Sequence, residues 1–318
     1  MKVLVTGGAG FIGSHVVEKL LDRGEDVTVL DNFNDFYDPA IKRENAAANS
    51  GARLVEGDIR DGRLVHELLG VERFEAVIHL AAMAGVRPSL ADPLLYGDVN
   101  IRGTQTLLAE LQDARTKFVF ASSSSVYGAN ERVPFEESDD IHRPVSPYAA
   151  TKRAGELLCF THHHLYRTPI TCLRFFTVYG PRQRPEMAIH EFVRRCLAGE
   201  PIPFFGDGSS RRDYTYVDDI VNGVLRALDR CRGYEIYNLG ESQTVSLSEL
   251  VSAIGAVTGT NPVLDRQPMQ PGDVLVTYAD VDKARRMLGY EPTTPLAAGL
   301  ERFMEWYRAT RLTGVRPG

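Results

Sequence analysis

Tyr148 and Lys152 stand four residues apart in Ser146-Pro147-Tyr148-Ala149-Ala150-Thr151-Lys152, a spacing that puts both side chains on one face of a helix. The chemistry such a pair can do is proton transfer. A phenol with its ordinary pKa near ~10 is a poor base at neutral pH, but an ammonium group alongside favours the phenolate and makes removal of a hydroxyl proton feasible. A YxxxK spacing alone is common on solvated helix faces, so its meaning depends on its company. Between 23 and 26 residues earlier, the apolar run Phe118–Ala121 ends in four serines, Ser122 to Ser125, followed by Val126-Tyr127-Gly128. A strand ending there can offer a hydroxyl to the same substrate oxygen that the tyrosine addresses. Ser123 is the expected donor, Ser124 and Ser125 are its competitors, and a serine-rich turn without a role is the plain alternative.

A second chemistry is written at the N-terminus. The β-rich run Val3–Thr6 leads into Gly7-Gly8-Ala9-Gly10-Phe11-Ile12-Gly13, with Gly7, Gly10 and Gly13 at three-residue spacing where a helical pattern begins. Glycines let the backbone turn tightly and approach phosphates, while free amides and the helix dipole supply positive potential. A pyrophosphate is expected here. Asp31 follows Gly13 by 18 positions, at the end of the second apolar run. Its carboxylate would accept hydrogen bonds from ribose hydroxyls and repel a 2′-phosphate, so NAD is expected rather than NADP. Asp58 with Ile59, and Leu80-Ala81-Ala82, end the third and fourth runs and are expected adenine and ribose contacts. The positive nicotinamide ring of NAD would join Lys152 in favouring the Tyr148 phenolate.

The elements that must position these residues follow from the hydrophobic pattern. Short apolar runs at Val3–Thr6, Val27–Leu30, Arg53–Val55, Ala76–Leu80, Phe118–Ala121 and Ile170–Leu173 alternate with helical stretches such as Ile12–Arg23, Leu94–Leu111 and Tyr148–Tyr166. That order predicts an α/β fold, a Rossmann-type doubly wound parallel sheet with helices on both faces. After Gly180 the pattern loosens. A helical segment Val217–Arg230 and the run Ile236–Leu239 look like a helix and strand returning to the main sheet. Ser246 with Glu249 reads as a capping box, and a last helix is expected over Leu296–Arg308. The expected division is 1–180, with 213–240 returning to it, and a smaller C-terminal α/β unit of 181–212 and 241–318.

Composition bounds the possibilities. The 318 residues include 43% hydrophobic and 25% charged residues, enough for a substantial core. Thirty-six basic against 42 acidic residues give a net charge of −6, which argues against a nucleic-acid binder but not against a small anionic ligand. Cys159, Cys172, Cys196 and Cys231 are widely spaced with no CxxC pair, so neither zinc nor a disulfide framework is indicated. His162-His163-His164 cannot converge on one ion, because consecutive helical residues point about 100° apart; no metal is expected. No signal-peptide design opens the chain. No uncharged stretch exceeds that of Leu250–Leu264, which is too short and polar to span a bilayer, so a cytoplasmic protein without membrane contact is expected.

Together TGGAGFIG, SSSSVYG and YxxxK resemble the extended short-chain dehydrogenases/reductases, and the likeness covers nearly the whole chain. A narrower resemblance is to the nucleotide-sugar epimerases that act on UDP-glucuronate. It rests on Ala84-Gly85-Val86-Arg87, on Leu173-Arg174-Phe175-Phe176-Thr177-Val178-Tyr179-Gly180-Pro181, on Arg184-Pro185-Glu186-Met187-Ala188-Ile189 and on Met269-Gln270-Pro271-Gly272-Asp273-Val274. The resemblance implies an isomerase working at sugar carbon 4: Tyr148 removes the hydroxyl proton while hydride passes to NAD, the 4-keto sugar turns over, and hydride returns to the other face. It also implies that Phe11, Ile12, Asn32 and Phe175 help to hold NAD, and that Asn100 contacts the sugar or the nicotinamide side. Arg212 and Asp273 would contact the UDP portion, with Ala188, Ile189 and Phe205 also at the substrate. A homodimer through a four-helix bundle, built from the helices Leu94–Leu111 and Tyr148–Tyr166, is implied as well.

A glucuronate carries a carboxylate at carbon 5, and its 4-keto form is a β-keto acid prone to lose carbon dioxide. Hydroxyls would hold that carboxylate out of the expelling geometry, and Thr177 with the serine cluster is the candidate set. Many neutral-sugar epimerases carry Asn where this chain has Thr177. Arg87 and Arg184 are further candidates for the anionic substrate. A 4,6-dehydratase would need an Asp-Glu pair where this chain has Ser124 and Ser125. UDP-glucose 4-epimerase is the nearest alternative, then UDP-glucuronate decarboxylase; a non-catalytic NAD sensor is the alternative from another class.

Overall fold

Each of the first six apolar runs becomes a strand: β1 (Lys2–Thr6), β2 (Asp26–Asp31), β3 (Arg53–Glu56), β4 (Ala76–His79), β5 (Lys117–Ser123) and β6 (Ile170–Phe175). The rest are β7 (Thr177–Tyr179), β8 (Ile202–Phe205), β9 (Arg211–Arg212), β10 (Tyr214–Tyr216), β11 (Tyr234–Leu239), β12 (Val245–Ser246) and β13 (Leu264–Gln267). They belong to a computed structural model that describes residues 1–112, 115–269 and 274–312. Seven strands form one parallel sheet in the order β11-β6-β5-β4-β1-β2-β3. Val3, Leu4 and Val5 are all fully buried, which explains why β1 reads as a continuous apolar run. Val3 and Val5 pack on one face with Val16, Val17, Ile220 and Val224; Leu4 packs on the other with Val77, Leu107 and Phe118. Thr6 of β1 pairs with Leu30 of β2 and with His79 of β4. The strand order therefore reverses between β1 and β4, and sheets of this kind bind ligands beyond the carboxyl ends at such a point.

The helix Pro147–Tyr166 begins where its chemistry requires. Ser146 caps it by accepting a hydrogen bond from the Ala149 amide at 3.1 Å, and Pro147 occupies the first turn. Midway along, a Cβ added at Gly155 would lie 2.3 Å from the Phe120 ring, so only glycine lets this helix approach β5 so closely. The expected helix over Leu94–Leu111 runs from Pro93 to Ala109 and widens to π-type winding over Asp98–Arg102.

Beyond Gly180 three small pairings form: β7 with β10, β9 with β12, and β8 with β13, while β11 joins the main sheet beside β6. Fully buried Asp213 staples this region. Its carboxylate accepts from the amides of Glu241, Ser242 and Ala279 and from the Thr215 hydroxyl, and burial pushes it up to about 6. Ser246 and Glu249 form the reciprocal capping box at 2.7 and 3.1 Å. Among the described residues no helix is long and apolar enough to cross a membrane.

Candidate active site

A cavity of about 410 Å³ lies beyond the carboxyl ends of the central strands, reaching from the glycine turn to the serine turn. Its lining includes Gly7, Gly10, Phe11, Ile12, Gly13, Asp31, Asn32, Asp58, Ile59, Leu80, Ala81 and Ala82 at one end. Ser123, Ser124, Ser125, Tyr148, Lys152, Phe175, Thr177 and Arg184 line the other.

The glycine turn has the form of a phosphate cradle. Gly7 sits at φ +71°, and a Cβ there would come within 2.7 Å of the Ala81 nitrogen. A Cβ on Gly13 would fall 2.1 Å from the Gly7 carbonyl oxygen. The helix Phe11–Asp22 starts with no side-chain cap and no acidic residue in its first turn, so its amide end is left for an anion. Asp31 accepts from the Ala9 amide at 3.1 Å through one oxygen and from the Phe33 amide at 3.0 Å through the other. Each oxygen keeps a lone pair, as a ribose diol requires. These residues fit a dinucleotide without a 2′-phosphate. Asp58 stands differently: Arg60 and Asn32 place four donors on its two oxygens at 2.7–2.9 Å. Held down to about 2, chiefly by Arg60, this carboxylate orients its neighbours and has little capacity for a ligand.

At the other end β5 delivers the serines and the helix Pro147–Tyr166 delivers the tyrosine and lysine. The hydroxyl of Ser122 donates to Glu156 at 2.7 Å and is thereby consumed. Ser123 caps the short turn Ser124–Tyr127, donates to the Ser125 hydroxyl at 3.2 Å and stands beside the Tyr148 phenol. Burial raises that phenol above its ordinary pKa; the neighbouring Ser123 hydroxyl and the positive charge of Arg184 pull it back. Lys152 donates to the Ala121 carbonyl at 2.7 Å, and its nitrogen lies 6.0 Å from the centre of the Tyr148 ring. Burial lowers it to about 8, so it remains the ammonium form at neutral pH.

Several expected contacts lie elsewhere. Asn100 does not line the cavity: its amide accepts from the Met83 nitrogen at 2.8 Å and donates to the Met83 carbonyl and the Thr151 hydroxyl at 2.9 and 3.0 Å. It braces the wall rather than facing a sugar. Ile189 is 1% exposed and belongs to the apolar core, because the helix Ala188–Ala198 turns that side inward; Ala188 is exposed at its start. Arg87 and Phe205 meet outside the cavity, the guanidinium 4.6 Å from the ring centre. Arg212 donates to the carbonyls of Arg211 and Leu275. Asp273 lies outside the described residues. His162 and His163 bond separate carbonyls, those of Leu111 and Thr168.

The sequence reading missed Phe36, Tyr37, Lys42, Met83 and Met187, which also line the cavity. Buried Lys42 donates to the Asn34 carbonyl and side-chain oxygen at 2.9 and 2.8 Å, and its charge lies within electrostatic reach of Asp31. A signal was present in Asn32–Asp38, where aromatic residues are set among turn formers directly after the ribose acid.

Known proteins are similar to this chain in sequence and in fold. Residues 3–240 match the model of the NAD dependent epimerase/dehydratase family. UDP-glucuronate 4-epimerase 3 of Arabidopsis thaliana is 44% identical over 96% of this chain and 76% of its own. The crystal structure of UDP-glucuronic acid 4-epimerase from Bacillus cereus, with UDP-glucuronic acid and NAD, is 36% identical over 97% of this chain and 99% of that one, with a TM-score of 0.89. The UDP-glucose 4-epimerase of Thermotoga maritima, with UDP-glucose, is 36% identical over 98% and 99%, with a TM-score of 0.91. Likeness of this extent, in sequence and in fold together, means that the chain belongs to the NAD dependent epimerase/dehydratase family of extended short-chain dehydrogenases/reductases.

Proposed function

We propose that this chain is an isomerase that interconverts UDP-glucuronate and UDP-galacturonate at carbon 4, with NAD held in the cradle of Gly7–Gly13. The observation that carries this reading is the pocket around the Tyr148 phenol, where Ser124, Ser125, Thr177 and Arg184 supply hydroxyls and one cation in the cavity that also contains the dinucleotide cradle. Tyr148 takes the proton of the carbon-4 hydroxyl and later returns it, with Ser123 sharing that proton and Lys152 favouring the phenolate. Bound NAD supplies the reversible oxidation of carbon 4 and is restored within each turnover. The hydroxyls and Arg184 hold the sugar carboxylate away from the geometry that expels carbon dioxide. Arg87, Phe205, Arg212 and Asp273 hold the nucleotide portion, so the sugar can present either face while the UDP stays in place. In this reading 1–180 with 213–240 serve the dinucleotide, and 181–212 with 241–318 serve the nucleotide sugar.

UDP-glucose 4-epimerase remains the second reading, favoured by the 0.91 TM-score with the Thermotoga maritima enzyme. The hydroxyls beside Tyr148 favour the acid sugar over it, and Arg184, which pairs with part-exposed Glu186 at 2.7 Å, would exchange that carboxylate for the sugar's. Incubation with UDP-glucuronate and, separately, UDP-glucose, followed by proton NMR, decides between them. UDP-galacturonate from the first supports our reading; turnover of UDP-glucose alone, or UDP-xylose as the main product, sinks it.

The reading extends to assembly and location. Leu94, Leu157 and Phe160 are 84%, 50% and 51% exposed on two adjacent helices, an apolar face suited to a homodimer through a four-helix bundle. A cytoplasmic enzyme accords with four free, buried cysteines.

A further inference from the structure

Beneath the serine turn lies a buried ion pair that the chemistry above does not use. On the helix Pro147–Tyr166, Glu156 follows Tyr148 and Lys152 at successive four-residue steps, so all three share one stripe. Glu156 is fully buried, and Arg174 of β6 is 1% exposed. Two guanidinium nitrogens of Arg174 fork onto the two Glu156 oxygens at 2.9 and 3.0 Å. The same carboxylate accepts from the Ser122 hydroxyl at 2.7 Å and from Arg153 at 3.2 Å. The third nitrogen of Arg174 donates to the Tyr127 hydroxyl at 3.0 Å, and that hydroxyl donates to Asn238 of β11 at 2.6 Å.

Ser122 and Tyr127 flank the turn that carries Ser123, Ser124 and Ser125. Both flanks end on one ion pair, which also grips the helix bearing Tyr148 and Lys152. Neither Glu156 nor Arg174 lines the cavity. A buried ion pair is often no more stabilising than apolar residues of similar volume, so its presence calls for a role other than stability. We propose that Glu156 and Arg174 are positioning residues for the reaction: by clamping both flanks of the turn to the helix, they set the Ser123 hydroxyl against the Tyr148 phenol. The proposal rests on the assignment of Ser123, Tyr148 and Lys152 to proton transfer.

The test compares wild type with the double variant Glu156→Leu/Arg174→Met, which removes both charges of the pair together. Of the groups that lose a partner, Arg153 is part-exposed, Ser122 is a neutral hydroxyl, and Tyr127 keeps its bond to Asn238. The expected result is an unchanged melting temperature and NAD affinity, KM within about threefold, and kcat lower by about tenfold to a hundredfold, the loss that a small misplacement of reacting groups causes. The phenol of Tyr148 is also expected to titrate at higher pH, read by ultraviolet difference against the same protein carrying Tyr148→Phe. A folded double variant with wild-type kcat and titration overturns the proposal. Should that variant not fold, Ser122→Ala cuts only the link to Glu156 and decides by the same measures: kcat lower by about fivefold with an unchanged melting temperature supports the clamp, and unchanged kcat overturns it. The titration needs no turnover, so inactivity of the wild type on every UDP-sugar would defeat the proposed function while leaving this question separately answerable.

Discussion

The ammonium of Lys152 donates to the carbonyl of Ala121 at 2.7 Å, which fastens the helix Pro147–Tyr166 to the strand end two residues before Ser123. Tyr148, Lys152 and Ser123 thus come to one place by a bond between a helix and a strand, and the lysine stays charged inside the protein to make it.

Keeping that charge buried has a cost in stability. Burial lowers Lys152 from 10.5 to about 8, so between those values the unfolded chain binds more protons than the folded one. This group's contribution to stability therefore rises with pH from about 8 to 10.5. Lys152→Met is expected to abolish that rise, to melt at or above the wild-type temperature without NAD, and to lose at least about a hundredfold in kcat. Calorimetry across this pH range and a turnover assay check the three together.

Tyr148→Phe removes only the phenolic oxygen. Loss of nearly all turnover with NAD affinity unchanged is expected, read by fluorescence titration and NMR; undiminished turnover would exclude the phenol as base, and an NAD sensor would not notice the change.

We propose that Asp31 selects the dinucleotide through its charge and two remaining lone pairs. Asp31→Asn keeps most of the shape, and NAD is expected to bind about tenfold more weakly while NADP gains, since a hydrogen bond to a charged group contributes about 1.5–3 kcal/mol. Isothermal titration with both dinucleotides measures the ratio; an unaltered preference would count against the ribose contact.

Thr177 lines the same cavity as Tyr148. If its hydroxyl restrains the sugar carboxylate, Thr177→Val should raise the proportion of UDP-xylose several-fold without abolishing the first oxidation. Proton NMR of the product mixture reports this directly, and a product ratio equal to wild type would remove Thr177 from that role.

The exposed apolar face gives a prediction about assembly. Leu94→Glu combined with Phe160→Glu places charges in the proposed bundle, and light scattering should then show a monomer where the wild type is a dimer. A monomeric wild type would end the bundle proposal.

Much of the site is legible in the chain because it is local. The cradle needs one strand, one turn and one helix start, all within the first thirteen residues, and glycine is the residue type that permits those backbone approaches. Tyr148 and Lys152 are neighbours by helical geometry alone, and alternating apolar runs suffice for a doubly wound sheet, whose strands are buried on both faces. Other features depend on which distant elements meet. Ser122 and Ser123 are the same residue type side by side, yet Ser122 is consumed by Glu156, 34 residues away, while Ser123 stands beside Tyr148 and donates to Ser125. Asn100 belongs to Met83 and Thr151, and Arg87 lies over Phe205 across more than a hundred residues. By itself the sequence determined the fold class, the dinucleotide cradle and the tyrosine–lysine pair, since each is set by short-range periodicity and backbone sterics. Tertiary structure alone decided which hydroxyl faces the base and which polar groups are already spent, because hydrogen-bond partners inside a protein are chosen by packing between elements far apart in the chain.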